Sequence, residues 1–205
     1  MTRLLIARHG NTFGSGDIVR RVGITDLPLV ESGLAQGRAL GTYFKQHHLI
    51  PDVIFTSELK RAIQTADEAQ TAMGRVIPQE MLFIFNEIDY GVDENQPEEK
   101  VVERLGTETL KAWEARAEVP PGWHVNPLKI IQRWQDFAAQ LEREHPGQTI
   151  LVVTSNGIAR FAPYITGDFD AFSAQHGIKL STGAFGLFEK EPLDHHWRCI
   201  QWNVR

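Results

Sequence analysis

Apolar residues fall along this chain in short runs, each ending in a polar residue and a turn. Leu4-Leu5-Ile6-Ala7 passes straight into Arg8-His9-Gly10. Val53-Ile54-Phe55 ends in Thr56-Ser57, Met81-Leu82-Phe83-Ile84-Phe85 in Asn86-Glu87, and residues 149–153 in Thr154-Ser155-Asn156-Gly157. Runs of this length bounded by turn residues predict strands of a parallel sheet, buried on both faces. Between them the spacing becomes helical. Leu34, Leu40 and Phe44, with small Gly37 and Gly41, predict a helix over residues 32 to about 48, packed closely on the sheet. Leu59, Ala62, Ile63, Ala66 and Ala69 predict a second, with Ser57 as its N-cap. Pro97-Glu98-Glu99 opens a third with a loose apolar face, and Asn126-Pro127 opens a fourth carrying Ile131, Trp134, Ala138 and Leu141. A fifth, with Ala159, Phe161 and Ala162, follows Asn156. Near the end, Gly186-Leu187-Phe188-Glu189 and Trp197-Arg198-Cys199-Ile200-Gln201-Trp202 alternate around Pro192-Leu193-Asp194. That pattern predicts antiparallel strands added at the edge of the sheet.

Two stretches escape these periods. Residues 10–28 are rich in Gly, Asp and Arg and predict a loop at the sheet edge, where Arg20 and Arg21 would suit a phosphate site. Residues 93–123 carry excess acid and weak periodicity, and read as an insertion lying over the site.

The 205 residues fit one large domain, or one with a substantial insertion. A formal net charge of −5 argues against a nucleic-acid partner, although a local basic pocket is compatible with it. The single cysteine, Cys199, excludes an intramolecular disulfide and a cysteine-rich metal site. No apolar run reaches signal-peptide or membrane-spanning length, so a cytoplasmic location is expected, with no membrane partner.

Ligands of open α/β sheets bind outside the carboxyl ends of the strands. His9, Ser57, Glu87 and Asn156 all follow strand ends and would share one rim. Arg61 falls in the first turn of its helix, where the helix dipole opposes a cation unless an anion lies between them. Each residue alone reads equally well as solvated surface; together they describe phosphoryl transfer. Arg8 and Arg61 bind a dianion, neutral His9 attacks phosphorus, and Glu87 protonates the departing oxygen and then draws a proton from water. Arginines that supply the charge stabilisation leave no need for a metal or other cofactor.

Arg8-His9-Gly10-Asn11-Thr12 resembles the R-H-G-x-T signature of the histidine phosphatase superfamily, the phosphoglycerate mutase-like proteins. Asp26-Leu27-Pro28-Leu29 with Gly33 is similar to its D-x-P-L-T-x-x-G segment. Ser57-Glu58-Leu59-Lys60-Arg61-Ala62-Ile63-Gln64-Thr65-Ala66 is similar to S-x-L-x-R-A-x-Q-T-A. Glu87 with Gly91 resembles the acid/base segment, and Thr154-Ser155-Asn156-Gly157 lies where the family has S-H-G. The resemblance covers residues 4 to about 160 in order. It implies a three-layer α/β sandwich with a mostly parallel central sheet, one domain over residues 1–205, and a helical cap from the insertion at about 88–126. It implies His9 as phosphoacceptor, Arg8 and Arg61 as phosphate clamp and Glu87 as proton donor. Asn156, Asn11 and Ser57 are further expected phosphate contacts.

Two departures stand out. Val30 replaces the usual threonine before Glu31, which weakens a helix cap. Asn156 replaces the second histidine. Its amide still donates a hydrogen bond but brings no charge, a loss of roughly 2–4 kcal/mol of transition-state stabilisation. Arg160, one turn on, either compensates or lies on a helix surface. His176 is expected in a loop, and the remaining histidines on the surface. Three functions stay open: a metal-independent phosphatase acting on a small phosphomonoester, a phosphoglycerate mutase, and a non-catalytic sensor of a phosphate ligand. Ser181-Thr182-Gly183 faintly resembles the mutases' P-T-G segment, for which this chain is short. A sensor needs neither His9 nor Glu87.

Overall fold

The computed structural model describes residues 1–205. In chain order its elements are β1 (Thr2–Arg8), β2 (Arg20–Arg21), α1 (Glu31–Gln46), β3 (Val53–Thr56), α2 (Lys60–Met73), β4 (Gln79–Met81) and β5 (Gln96–Pro97). There follow α3 (Glu98–Leu105), α4 (Thr107–Arg116), α5 (Pro127–Glu144), β6 (Thr149–Thr154), α6 (Asn156–Ala159), α7 (Phe169–His176), β7 (Phe185–Lys190) and β8 (Arg198–Val204). The central sheet runs β4-β3-β6-β1-β7-β8. Its first four strands are mutually parallel, and β7 and β8 are antiparallel, as the alternating C-terminal pattern predicts.

The central strands bury both faces, and their alternation divides the core. Leu4, Ile6, Ile150 and Val152 join one apolar cluster with Trp134, Phe137 and Leu141 of α5. Leu5, Ala7, Leu151 and Val153 join another with Leu40 and Phe44 of α1 and Ala62, Ala66 and Ala69 of α2. Helices therefore cover the sheet on both sides, and the fold is the expected α/β sandwich.

Several local expectations are corrected. The run from Met81 to Phe85 is not a strand: β4 stops at Met81, and Phe83–Phe85 is a 3-10 turn. At the sheet edge the run is not enclosed, and Met81 and Phe83 stay exposed. Ser57 is not the N-cap of α2, which starts three residues later; Asp26 accepts from the Lys60 N–H at 2.8 Å and caps it from another segment. Gly37 and Gly41 face α2 rather than the sheet. A Cβ on Gly41 would stand 2.1 Å from the Ala69 carbonyl oxygen, so these glycines set the approach of two helices. The helix after Ser155 lasts one turn before the chain tightens into a 3-10 stretch, Ala162–Thr166, at Pro163. His176 ends α7 and packs against Phe172, not in a loop.

Val30 sits at the N-cap of α1 with extended backbone (φ −84°, ψ 172°) and no side-chain hydrogen bond. Val30→Thr should therefore raise unfolding free energy by about 1 kcal/mol, read as a shift of the urea midpoint at unchanged slope.

Candidate active site

β3, β6 and β1 are adjacent and parallel, so their carboxyl ends open on one rim. The Arg8-His9-Gly10 turn is bolted there by main-chain bonds: the His9 N–H donates to Thr154 O at 3.0 Å and the Arg8 N–H to Ala184 O at 2.9 Å. The Gly10 N–H donates to Thr65 Oγ1 at 3.0 Å, and that hydroxyl donates to Arg61 O at 2.7 Å. A side chain at Gly10 is impossible without movement, because its Cβ would lie 2.3 Å from the Gly33 carbonyl oxygen. Gln64 accepts from the Leu29 N–H at 2.8 Å. The glycines, Gln64 and Thr65 of the sequence motifs thus fasten one turn onto two helices.

His9 is 6% exposed and its Nδ1 lies 2.7 Å from the Gly10 carbonyl oxygen. A carbonyl only accepts, so Nδ1 carries the proton and Nε2 keeps its lone pair. Burial, reinforced by the charges of Arg61 and Arg8, holds the His9 pKa well below 6.5. Arg8 Nη1 donates to Leu180 O at 2.9 Å, and its buried Nε has no partner. Arg61, 1% exposed, donates from Nη1 to Thr25 O at 2.8 Å and from Nη2 to Gly23 O at 2.5 Å. Burial lowers the pKa of both guanidiniums, with Glu87 opposing, and both stay charged.

Glu87 reaches the same place from the 3-10 turn after β4. The Thr154 hydroxyl donates to Phe85 O at 2.7 Å and ties that turn to β6. The carboxylate is held at both oxygens, by the Ile88 N–H at 2.9 Å and the Gly157 N–H at 3.0 Å. Gly157 leaves room for it, since a Cβ there would stand 2.3 Å from Glu87 Oε1. Asn156 Oδ1 accepts from the Leu180 N–H at 3.0 Å, leaving its amide nitrogen as the free donor.

Arg8, His9, Asn11, Arg61, Glu87 and Asn156 line one cavity of about 490 Å³. Asn11 is held by Ser32 and by the Thr182 hydroxyl, the latter at 2.6 Å. Ser57 is fully buried and lies outside the lining. Arg20 and Arg21 do reach the cavity: Arg20 donates to Asn95 O, and Arg21 is paired with Glu98. The sequence reading missed Tyr90, Glu98, Glu114, Lys179 and Thr182, which also line it. Tyr90, three residues past Glu87, carried a positional signal, and Thr182 falls in the Ser181-Thr182-Gly183 segment that resembles P-T-G.

Glu94 was missed for the same reason. Its carboxylate accepts from the N–H groups of Gly23 and Thr25 at 3.0 and 3.2 Å and from the Thr25 hydroxyl at 2.7 Å. It therefore shapes the loop whose carbonyls grip Arg61. No group of three His, Cys, Asp or Glu side chains is placed to hold a metal ion.

Two outcomes follow from this geometry. Gly157→Ala should displace the Glu87 carboxylate, which is the free end of a flexible side chain. Turnover should then fall about 100-fold while unfolding free energy changes by less than roughly 1 kcal/mol, read by steady-state kinetics and urea denaturation. The His9 imidazole should remain neutral in an NMR titration at pH 6, and a midpoint at or above 6.5 would contradict the buried, cation-flanked placement. Since the unfolded chain takes up a proton near 6.5 that the native site refuses, acidification below 6.5 should cost stability through His9, and His9→Asn should remove that increment.

The model of the histidine phosphatase superfamily (branch 1) matches residues 4–204. A 2,3-bisphosphoglycerate-dependent phosphoglycerate mutase of Leifsonia xyli is 34% identical over 145 residues, 68% of this chain and 58% of the mutase. The chain thus matches little more than half the length of that relative. A mycobacterial glucosyl-3-phosphoglycerate phosphatase superposes with a TM-score of 0.80 at 20% identity, over 98% of each chain. YhfR of Bacillus stearothermophilus gives 0.80 at 21% identity, over 100% of this chain and 98% of its own. Those two likenesses speak for the fold, and the family match takes in both the Arg8-His9-Gly10 turn and the strand end at Asn156: the chain belongs to branch 1 of the histidine phosphatase superfamily.

Proposed function

We propose that this protein is a metal-independent phosphatase that hydrolyses a small phosphomonoester through a phosphohistidine on His9. The observation that carries the reading is a buried, neutral His9 whose Nδ1 proton is committed to Gly10 O, beside two guanidiniums that no carboxylate contacts. The lone pair on Nε2 attacks phosphorus in line as the ester P–O bond breaks. Glu87 in its acid form gives its proton to the departing alkoxide. The resulting carboxylate then takes a proton from water, whose oxygen attacks the phosphohistidine and releases inorganic phosphate and neutral His9. Arg8, Arg61 and the Asn156 amide stabilise the equatorial oxygens. Asn11, already held by Ser32 and Thr182, borders the phosphoryl position; Ser57 acts only by closing the turn. Residues 88–126, which bring Tyr90, Glu98 and Glu114 to the cavity, act as its cap and select the alcohol.

The identity to a phosphoglycerate mutase favours a second reading, in which the phosphoryl group passes to a substrate hydroxyl instead of water. A mutase must shelter its phosphoenzyme from water, and the match to that mutase spans only 58% of its length. Water is therefore the acceptor we assign.

A phosphate donor added briefly should label His9 with acid-labile, base-stable phosphate, and chelator should leave turnover unchanged. Label retained in His9→Ala would end the mechanism, and phosphoryl transfer between phosphoglycerates outrunning phosphate release would favour the mutase. Glu87→Gln should slow alkyl phosphates about 100- to 10,000-fold but nitrophenyl phosphate far less, because a phenolate needs little protonation. Equal losses would mean that Glu87 only shapes the pocket.

A further inference from the structure

Arg160 follows the single turn of α6, where the chain bends into its 3-10 stretch, and its side chain lies inside the molecule, 1% exposed. It lines the same cavity as His9 and Glu87. Nε donates to Asn156 O at 3.2 Å, Nη1 donates to Trp113 O at 2.8 Å, and the guanidinium lies over the Trp113 ring with Cζ 4.1 Å from its centroid. Of five N–H groups, these two bonds use two. The nearest carboxylate, Glu114, stands 3.8 Å from Nη2, beyond hydrogen-bond distance.

Several other cations in this chain are paired directly with carboxylates. Arg21 contacts Glu98, Arg104 contacts Asp93, and Lys190 contacts Glu142 at 2.9 Å. Arg160 comes nearer the pattern of Arg8 and Arg61: main-chain carbonyls orient the guanidinium, and its one ion pair, to Glu114, is long and carries no hydrogen bond. An uncompensated buried guanidinium is costly unless an anion completes it. Buried Arg61, half-buried Arg8 with its Nε still unpartnered, and loosely paired Arg160 around one cavity describe a receptacle for an anion of more than one charge. The charge of Arg160 also acts on Arg8 and Tyr90, which places it in the electrostatic environment of the site.

Resting on the phosphatase reading, we propose that Arg160 is a third phosphoryl-binding cation, supplying from one turn further on the positive charge that Asn156 does not bring. Asn156 serves both halves of this arrangement. Its side-chain amide is a neutral donor to the phosphoryl group, while its main-chain oxygen anchors the Arg160 Nε. Histidine chemistry at one residue is thereby divided between two.

The test compares vanadate inhibition, kcat/KM on nitrophenyl phosphate and Tm across wild type, Arg160→Gln, Arg160→Met, Arg160→Lys, Asn156→His and the double variant Asn156→His/Arg160→Gln. Arg160→Gln should weaken vanadate and lower kcat/KM by about 100-fold. The added histidine should recover at least about tenfold in the Arg160→Gln background and bring a smaller gain to wild type, because the charge it would add is already present there. Vanadate affinity within about twofold of wild type in Arg160→Gln, whatever its Tm, would overturn the proposal and leave Arg160 as a tie between α4 and α6. Failure of the histidine to rescue would overturn the substitution of one charge for the other. If Arg160→Gln does not fold, Arg160→Met, whose side chain still covers Trp113, decides: vanadate should weaken about 100-fold without the charge, and affinity within about twofold of wild type overturns the claim. Arg160→Lys keeps the charge and should lose less. Failure of the phosphatase reading looks different: wild type without turnover, and vanadate binding indifferent to His9→Ala and Arg61→Ala.

Discussion

A guanidinium shielded from water and also kept from any carboxylate is an expensive object, and one cavity holds fully buried Arg61 beside half-buried Arg8. A contacting acid would neutralise the charge that an incoming anion needs. The chain uses main-chain carbonyl oxygens instead, which orient N–H groups and offset part of the desolvation without cancelling the charge. That choice dictates much of the surrounding structure. Leu180 must present its oxygen to Arg8, and Gly23 and Thr25 must turn theirs inward to Arg61. The backbone of those loops must then be held by other groups, which is the work of Asn156 on the Leu180 N–H and of Glu94 on residues 23–25.

The same cations set the state of His9. Their field and the burial they share keep the imidazole neutral, while the Gly10 carbonyl fixes which nitrogen holds the proton. Basicity is thus traded for an available lone pair. Glu87 is held by a different device, two backbone N–H groups and a glycine that leaves it space. The His9 and Glu87 side chains are thus oriented by different contacts, although Thr154 ties down both turns.

What could be read in the sequence was whatever a local pattern encodes. Residues 4–7, 53–55 and 149–153 became central strands because both faces are covered and no polar residue interrupts them. Arg8, His9 and Arg61 were legible because strand ends and first helical turns are places where side-chain chemistry is constrained. The run from Met81 to Phe85 misled because an edge position leaves alternate residues in solvent, and apolar composition alone cannot distinguish an edge from a centre. Gly37 and Gly41 were recognised as marks of close packing, but a periodicity does not say which neighbour approaches. Glu94, Lys179, Glu98 and Glu114 were not legible. Lys179, Glu98 and Glu114 reach the cavity from three separate segments, Glu94 supports the loop over residues 23–25, and nothing in the immediate neighbourhood of any of them records the convergence. Arg160 was visible as a residue one turn from Asn156, while its burial against Trp113 depends on α4, more than forty positions away in sequence.

Glu94 belongs to the stretch that brings Tyr90, Glu98 and Glu114 to the cavity, yet its hydrogen bonds run to the loop that grips Arg61. One carboxylate therefore spans what would otherwise be two modules. A chimera that imports residues 88–126 from a relative would lose the carboxylate that holds the Arg61 loop unless residues 23–25 travel with it. In this scaffold the transferable unit is a pair of segments far apart in the chain.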